Sequence, residues 1–423
     1  MNSHGTHAPS GGDAIPCRCR RATDHRPRRT RARSTTQKEA PPVKITDIKT
    51  FLVDATPPGG WGGGGRNWLF VKVETDEGIV GWGEASGWPR VIETAVQDLK
   101  TVLVGLDPGR IELIWQKMLL AMMGHGMTGV VGAGAMTGIE VALWDILGKR
   151  LGVPVVDLLG GMCREKIRTY AHASEPEAAL RYVEQGYTCL KAGGLRHPIR
   201  TVKRLRDALP GHVDLCIDVH GPPWLTVPDA VRVGQELEDF DLLFYEDPVP
   251  PENMDSLKKV ADSLSLPVAA GERSSTIYGC RELVEREIVD VLQPDMGRVG
   301  GISQMKKISA QAEAHHIMMA PHDGSNGPLC EAAAVHVMAS IPNFIILEHR
   351  ADDVPWRYDI CTELPVVNGY IDVPRRPGLG VEINEAALLR HPGVHNVAAI
   401  TPANLERMYV EPRAQRRRLF AKD

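Results

Sequence analysis

The chain has 423 residues, 43% hydrophobic and 24% charged, which is enough for a barrel-sized domain and a smaller second one. Its formal charge of −4 is uneven: residues 1–42 hold nine Lys or Arg against three Asp or Glu, leaving about −10 on the remainder, a poor surface for nucleic acid. No apolar run reads as a membrane span, no secretory h-region is present, and eight scattered cysteines without a C-x-x-C pair fit a reducing cytoplasm better than a disulfide framework.

Residues 1–42, centred on CRCRRATDHRPRRTRAR, have too little apolar content to bury a core. They read as a disordered basic tail or an over-early start rather than a transit peptide or nucleic-acid arm, because no amphipathic period runs through them. From Lys44 the pattern alternates through ITDIKTFLV and WLFVKVETDEGIVGWGEA, which predicts a three-stranded antiparallel meander turning at Asp76-Glu77-Gly78. Between these strands lies PPGGWGGGGR at 57–66, too glycine-rich for regular structure and lacking the G-K-[ST] of a phosphate loop. Helical periodicity follows over 91–103, 111–122 and 133–151, with His125 in a glycine-rich loop between the last two.

Eight short apolar runs then recur. The first two are IRTYAH, ending near His172, and TCLKAG, around Lys191. The next six stop on Asp218, Glu246, Glu272, Asp295, His322 and Glu348, at intervals of 28, 26, 23, 27 and 26 residues. Runs of four or five apolar residues without alternation read as strands buried on both faces, and each interval holds one helix and two loops. Eight such units predict a (β/α)8-type barrel whose polar strand ends share one face. After the eighth strand, 365–383 returns to short extended segments that rejoin the first domain, and RAQRRRLFAKD reads as a solvated tail. The expected division is an α+β capping domain over 43–165, completed by 365–423, around a catalytic barrel over 166–364.

One strand-end acid is as readily a solvated helix cap as a catalytic group. Three on consecutive strands, Asp218, Glu246 and Glu272, would repel one another in a partly buried mouth unless a cation lay between them. Oxygen-only ligation with room for water and substrate points to Mg²⁺. Asp295 and His322 end neighbouring strands, where a carboxylate can fix the imidazole tautomer and make a general base of His322. His220, two residues beyond Asp218, faces the same way and is a second proton-transfer group.

These stations, D-x-H, YEDP, AAGER, LQPD, GGI, APH and LEH, together with WDILGKRLGVPVVDLLGG at 144–161 and GYIDVPRRPGLGVEI at 369–383, resemble the enolase superfamily. Within it they are most similar to the mandelate racemase subgroup and its galactonate dehydratase-type sugar-acid dehydratases. The resemblance runs from Ile45 to about Glu385. It implies Mg²⁺ on Asp218, Glu246 and Glu272, a His322–Asp295 base dyad, Glu348 hydrogen-bonded to the substrate carboxylate with Lys191 beside it, and a homo-oligomer. It also implies that the 57–66 loop is a flap over the substrate, making Trp61 and Arg66 candidates for its distal end. By position alone, His125 in its glycine-rich loop and His172 at the end of the first barrel strand are further candidate contacts. Racemases of the group carry K-x-K where this chain reads Lys191-Ala192-Gly193, which points away from a lysine and histidine pair and toward dehydration. The expected activity is elimination of water from an aldonate or aldarate to a 2-keto-3-deoxy acid. A racemase, epimerase or cycloisomerase working through the same enediolate is the nearer alternative, and a non-catalytic metal-binding homologue the more distant one.

Overall fold

The computed structural model describes residues 43–58, 64–122, 129–194, 197–221, 224–362, 364–395, 417, 419 and 420; the basic leader lies outside them. The described chain opens on strands β1 (Ile45–Asp54), β2 (Asn67–Thr75) and β3 (Val80–Ala85), an antiparallel sheet in that order. Successive side chains of a strand point to opposite faces, and β2 uses both. Leu69, Val71 and Val73 enter one hydrophobic core with the helices that follow, while Trp68 and Phe70 enter the larger core shared with the barrel.

Helix α1 (Pro89–Leu103) buries Ile92, Val96, Leu99 and Leu103, the three- and four-residue spacing of an amphipathic stripe. It is followed by α2 (Ile111–Met122) and α3 (Val130–Leu151). The expectation that no run reaches membrane length fails at α3, whose 22 residues are long and apolar enough to cross a bilayer. Its most apolar window is 72% buried, because α3 runs between β3 and the barrel and needs apolar residues all round. Contact with β3 depends on Gly81 and Gly83, where an added Cβ would fall 2.1 Å from the Ala142 and Gly138 carbonyl oxygens.

A short α4 (Val155–Leu158) leads into alternating elements: β4 (Lys166–His172), α5 (Pro176–Glu184), β5 (Cys189–Gly193), α6 (Pro198–Ala208), β6 (Asp214–Asp218), α7 (Val227–Leu237) and β7 (Tyr245–Glu246). They continue as α8 (Met254–Ala261), β8 (Val268–Ala270), α9 (Thr276–Glu285), β9 (Val291–Leu292), α10 (Ile302–Ala314), β10 (Met318–Met319), α11 (Pro328–Ala339) and β11 (Leu347–Glu348). Strands β4 to β10 pair in parallel in sequence order, and β11 pairs in parallel with β4. Closure comes from the segment just before β11: Met319 N donates to Asn343 O at 2.7 Å and Ile345 N to Met319 O at 3.0 Å. Most of the outer helices are amphipathic, as in α6, which buries Pro198, Ile199, Val202 and Leu205 against the strands, whereas α11 is buried all round.

The eighth helix of an ideal barrel is replaced by a single turn, α12 (Arg357–Ile360). The hairpin β12 (Val366–Val367) and β13 (Tyr370–Asp372) extends β4 antiparallel rather than rejoining the first sheet as expected. The chain reaches that sheet later, where Pro392 bridges Val53 and Val394 exchanges hydrogen bonds with Asn67, past the short α13 (Glu385–Leu388). The end of the chain is not a solvated tail throughout, since Leu419 is buried and the Phe420 ring lies 3.8 Å from the Arg232 guanidinium.

Two buried carboxylates tie the first sheet and its helices to the barrel. Glu140 of α3 accepts from Ile302 N at 2.7 Å and Ser303 N at 2.9 Å, the open N–H groups of α10, and from Trp144 Nε1 at 2.8 Å. Glu84 of β3 accepts from Gly327, Leu329 and Cys330 N–H groups at the start of α11. Helix N-termini carry orphan donors and positive dipole ends, so each carboxylate serves both. Helices α10 and α11 directly follow the strand ends that carry Asp295 and His322.

Candidate active site

Lys191, on β5, is 3% exposed and stands at the centre of the strand-end cluster. Its Nζ lies 2.9 Å from Glu246 Oε2, 3.1 Å from Glu348 Oε1, 3.6 Å from Asp218 Oδ2 and 3.4 Å from the Tyr170 hydroxyl. Burial opposes its charge, but Glu246 and Glu348 raise its pKa well above the ordinary lysine value. Gln293 Nε2 donates to Glu246 at 3.0 Å. Even so, burial and repulsion from Asp218 push the Glu246 carboxyl up to about 8.

Asp218 Oδ1 accepts from His220 Nδ1 at 2.8 Å and from the His220 backbone N–H at 3.0 Å. Against the cost of burial, Lys191 and His220 hold Asp218 below the usual carboxylate range. The same hydrogen bond raises His220 to about 9. On the other side, His322 Nδ1 lies 2.5 Å from Asp295 Oδ2, and its Nε2 lies 3.2 Å from Glu272 Oε2. Burial would lower His322, but Glu348, Glu272 and Asp295 prevail and raise it to about 9. Asp295 is saturated with donors: Gly297 N at 2.8 Å, Arg298 Nη2 at 2.8 Å and Asn326 Nδ2 at 3.1 Å in addition to His322.

Glu348 accepts from the Asp323 and Gly324 N–H groups at 2.8 and 2.9 Å. His172 Nε2 sits 2.8 Å from Glu348 Oε1, an ion-pair distance without hydrogen-bond alignment. A cavity of about 290 Å³ opens above these groups between the two parts of the chain, with Arg66 and Ser86 on the sheet side and His220, Glu272, Arg298 and His322 on the barrel side. Arg66 reaches this cavity, but its guanidinium is paired with Asp353 and its Nε donates to Ala55 O at 2.7 Å. Trp61 and His125 lie outside the described residues.

Among the described residues no three His, Cys, Asp or Glu side chains are already gathered as ligands about one point. The donor set itself suits a hard cation: oxygen only, on three consecutive strand ends, with more negative charge than Lys191 balances and Glu246 driven toward its neutral form by burial and by Asp218.

Residues 64–160 match the mandelate racemase/muconate lactonizing enzyme N-terminal domain, and residues 175–387 match the enolase C-terminal domain-like family. A D-galactonate dehydratase of Ralstonia pickettii is 36% identical over 82% of this chain and 94% of its own length. The chain belongs to the mandelate racemase/muconate lactonizing enzyme family of the enolase superfamily. Another relative, a D-xylonate dehydratase of Haloferax volcanii, is 33% identical over 82% of this chain and 89% of its own. Among solved structures, the 3,6-anhydro-D-galactonate cycloisomerase of Zobellia galactanivorans superposes with a TM-score of 0.76 at 29% identity, covering 82% of this chain and 99% of that one.

Sequence reasoning passed over several side chains that complete the cluster: Arg298, Gln293, Tyr170, Asn326 and Asp247. Gln293 had a signal, since it sits two residues before Asp295. Arg298 had none, because a loop of MGR carries no period.

Proposed function

We propose that this family member dehydrates a sugar acid, an aldonate or aldarate, to the 2-keto-3-deoxy acid. One observation carries the reading: two imidazoles, His220 and His322, line a single cavity, each backed by its own carboxylate, Asp218 and Asp295. The named activities of the two dehydratase relatives are of the same class.

A hydrogen α to a carboxylate is weakly acidic because its removal puts two negative charges on the enediolate oxygens. His322 removes it with Nε2, while Asp295 holds Nδ1 and steadies the imidazolium that forms. Lys191, kept charged by Glu246 and Glu348, hydrogen-bonds the substrate carboxylate where that charge builds. Glu348, with its oxygens spent on Lys191 and on two backbone N–H groups, acts on the carboxylate through Lys191. His220 gives its proton to the β-hydroxyl as the C–O bond breaks; water leaves, and the enol tautomerises to the ketone. Asp218, Glu246 and Glu272 would hold Mg²⁺, which supplies further positive charge for the enediolate oxygens. The unpaired cysteines among the described residues support action in a reducing compartment, the cytoplasm.

The test is a screen of the purified protein with Mg²⁺ against aldonic and aldaric acids, with 3,6-anhydrogalactonate included, assayed with semicarbazide for 2-keto products. Keto acid from an open-chain substrate is expected. His220→Asn should then lose keto acid formation by about 10²-fold or more while still exchanging the α-hydrogen in D₂O. Exchange with epimerised substrate and no keto acid would overturn dehydration in favour of an isomerase. Turnover of the anhydro sugar alone would favour the cycloisomerase.

A further inference from the structure

Asp247 follows Glu246, which is in register with Asp218 on β6 and Ala269 on β8. Its φ of 45° takes it out of strand geometry, so its side chain does not obey the alternation that would turn it away from Glu246. It is 2% exposed, and neither carboxylate oxygen has a hydrogen-bond partner. The charges acting on it come from the strand ends on either side, Glu272 and Arg273 beyond β8, Asp218 at the end of β6 and His220 just past it.

The donors in that neighbourhood serve other groups. His220 Nδ1 lies 2.8 and 2.9 Å from the two oxygens of Asp218. Arg273 lies 4.7 Å from the Trp224 ring centroid and 3.5 Å from Glu272. Lys191 serves Glu246 and Glu348. A carboxyl withdrawn from water without a donor is strongly unfavourable, and Asp247 shares its surroundings with two other acids, Asp218 and Glu272.

We propose that Asp247 is an outer-sphere carboxylate, accepting hydrogen bonds from the water carried by a divalent cation on Asp218, Glu246 and Glu272 and thereby tightening that cation's binding. This rests on the cation reading given under the proposed function. Magnesium retains several waters in protein sites, so the O–H donors arrive with it. Acceptors of this kind orient the inner ligands, and their loss weakens metal affinity about 10- to 100-fold.

The experiment is calorimetric titration of Mg²⁺ into the metal-stripped full chain without substrate, for the wild type, Asp247→Asn, Asp247→Ser and Glu246→Gln, with thermal unfolding of each in EDTA. Asp247→Asn should bind one ion per chain about 10- to 100-fold more weakly, and in EDTA it should be at least as stable as the wild type, since the side chain it replaces accepts no hydrogen bond in the protein. Asp247→Ser serves if the amide does not fold. An unchanged Kd in both Asp247 variants, with binding lost in Glu246→Gln, would overturn the role of Asp247 alone. Loss of one of two bound ions with the other unaffected would overturn it as well, making Asp247 a ligand of a separate ion. Destabilisation in EDTA without a change in Kd would show a structural partner of Arg273 instead. Unaltered binding in Glu246→Gln would sink the cation reading and this proposal together.

Discussion

Replacing Asp295 by Asn keeps the volume of the side chain and removes its charge. Oδ2 receives His322 Nδ1 at 2.5 Å and Arg298 Nη2 at 2.8 Å, while Oδ1 receives Gly297 N at 2.8 Å and Asn326 Nδ2 at 3.1 Å. All four partners are donors. An amide has one accepting oxygen and one donating nitrogen, so either flip sets its NH₂ against two of them. With the NH₂ toward His322, the imidazole must accept at Nδ1 and carry its proton on Nε2, the nitrogen that has to take the α-hydrogen. With the NH₂ toward Gly297 and Asn326, two buried donors lose their acceptor. In both cases Arg298 loses its counter-charge. A positioned general base contributes about 10²–10⁴-fold, or about 3–5 kcal/mol of barrier. The expected result is a kcat for keto acid lowered by that factor, with KM within about threefold because Asp295 does not touch substrate. Hydrogen exchange in D₂O should fall in parallel, and near-UV circular dichroism should report an intact fold. A folded Asp295→Asn variant with kcat within about tenfold of the wild type would refute the assignment of the base.

Glu140→Ala removes the acceptor of Ile302 N, Ser303 N and Trp144 Nε1. Trp144 Nε1 keeps Ser303 Oγ at 3.2 Å, so two buried donors lose their acceptor; at about 1–3 kcal/mol for each, urea unfolding should show a loss on the order of 2–5 kcal/mol, and a loss under about 1 kcal/mol would remove Glu140 as the tie between α3 and α10. His336 is buried with Nδ1 accepting from Val156 N at 3.2 Å and Nε2 donating to Leu379 O at 3.0 Å, and burial lowers its pKa to about 4. The folded state keeps it neutral while the unfolded chain takes up a proton below its ordinary value of 6.5. Its contribution is therefore complete above about pH 6.5 and drains as pH falls toward 4, by up to about 3 kcal/mol. The stability gap between the wild type and His336→Gln should narrow across that window; a gap independent of pH would mean that His336 titrates normally.

Much of the barrel was legible because a strand buried on both faces must be apolar until it reaches water. Asp218, Glu246, Glu272, Asp295, His322 and Glu348 announce themselves by ending such runs at nearly constant intervals, and the closed sheet sets them on one rim. The meander of β1 to β3 was legible from its alternation and its glycine turn. The apolar run of α3 was passed over as too short to cross a bilayer, although a helix enclosed by protein and one enclosed by lipid draw on the same residues. The hairpin on β4 was misplaced because a short extended segment does not specify which strand edge it will pair with.

What the sequence determined by itself was therefore the list of strand-end groups and their order, which follow from local periodicity. The tertiary structure decided which of them touch. Arg66 pairs with Asp353 across 287 positions, Glu84 meets the start of α11 more than 240 positions away, and Lys191 takes its charge partners from β7 and β11. No local pattern encodes these contacts, because they exist only when the closing of the barrel and the docking of the first sheet bring distant strand ends within hydrogen-bond reach. Asp247 belongs with them: its sequence neighbour is a candidate ligand, yet only the folded rim leaves its two oxygens without a donor.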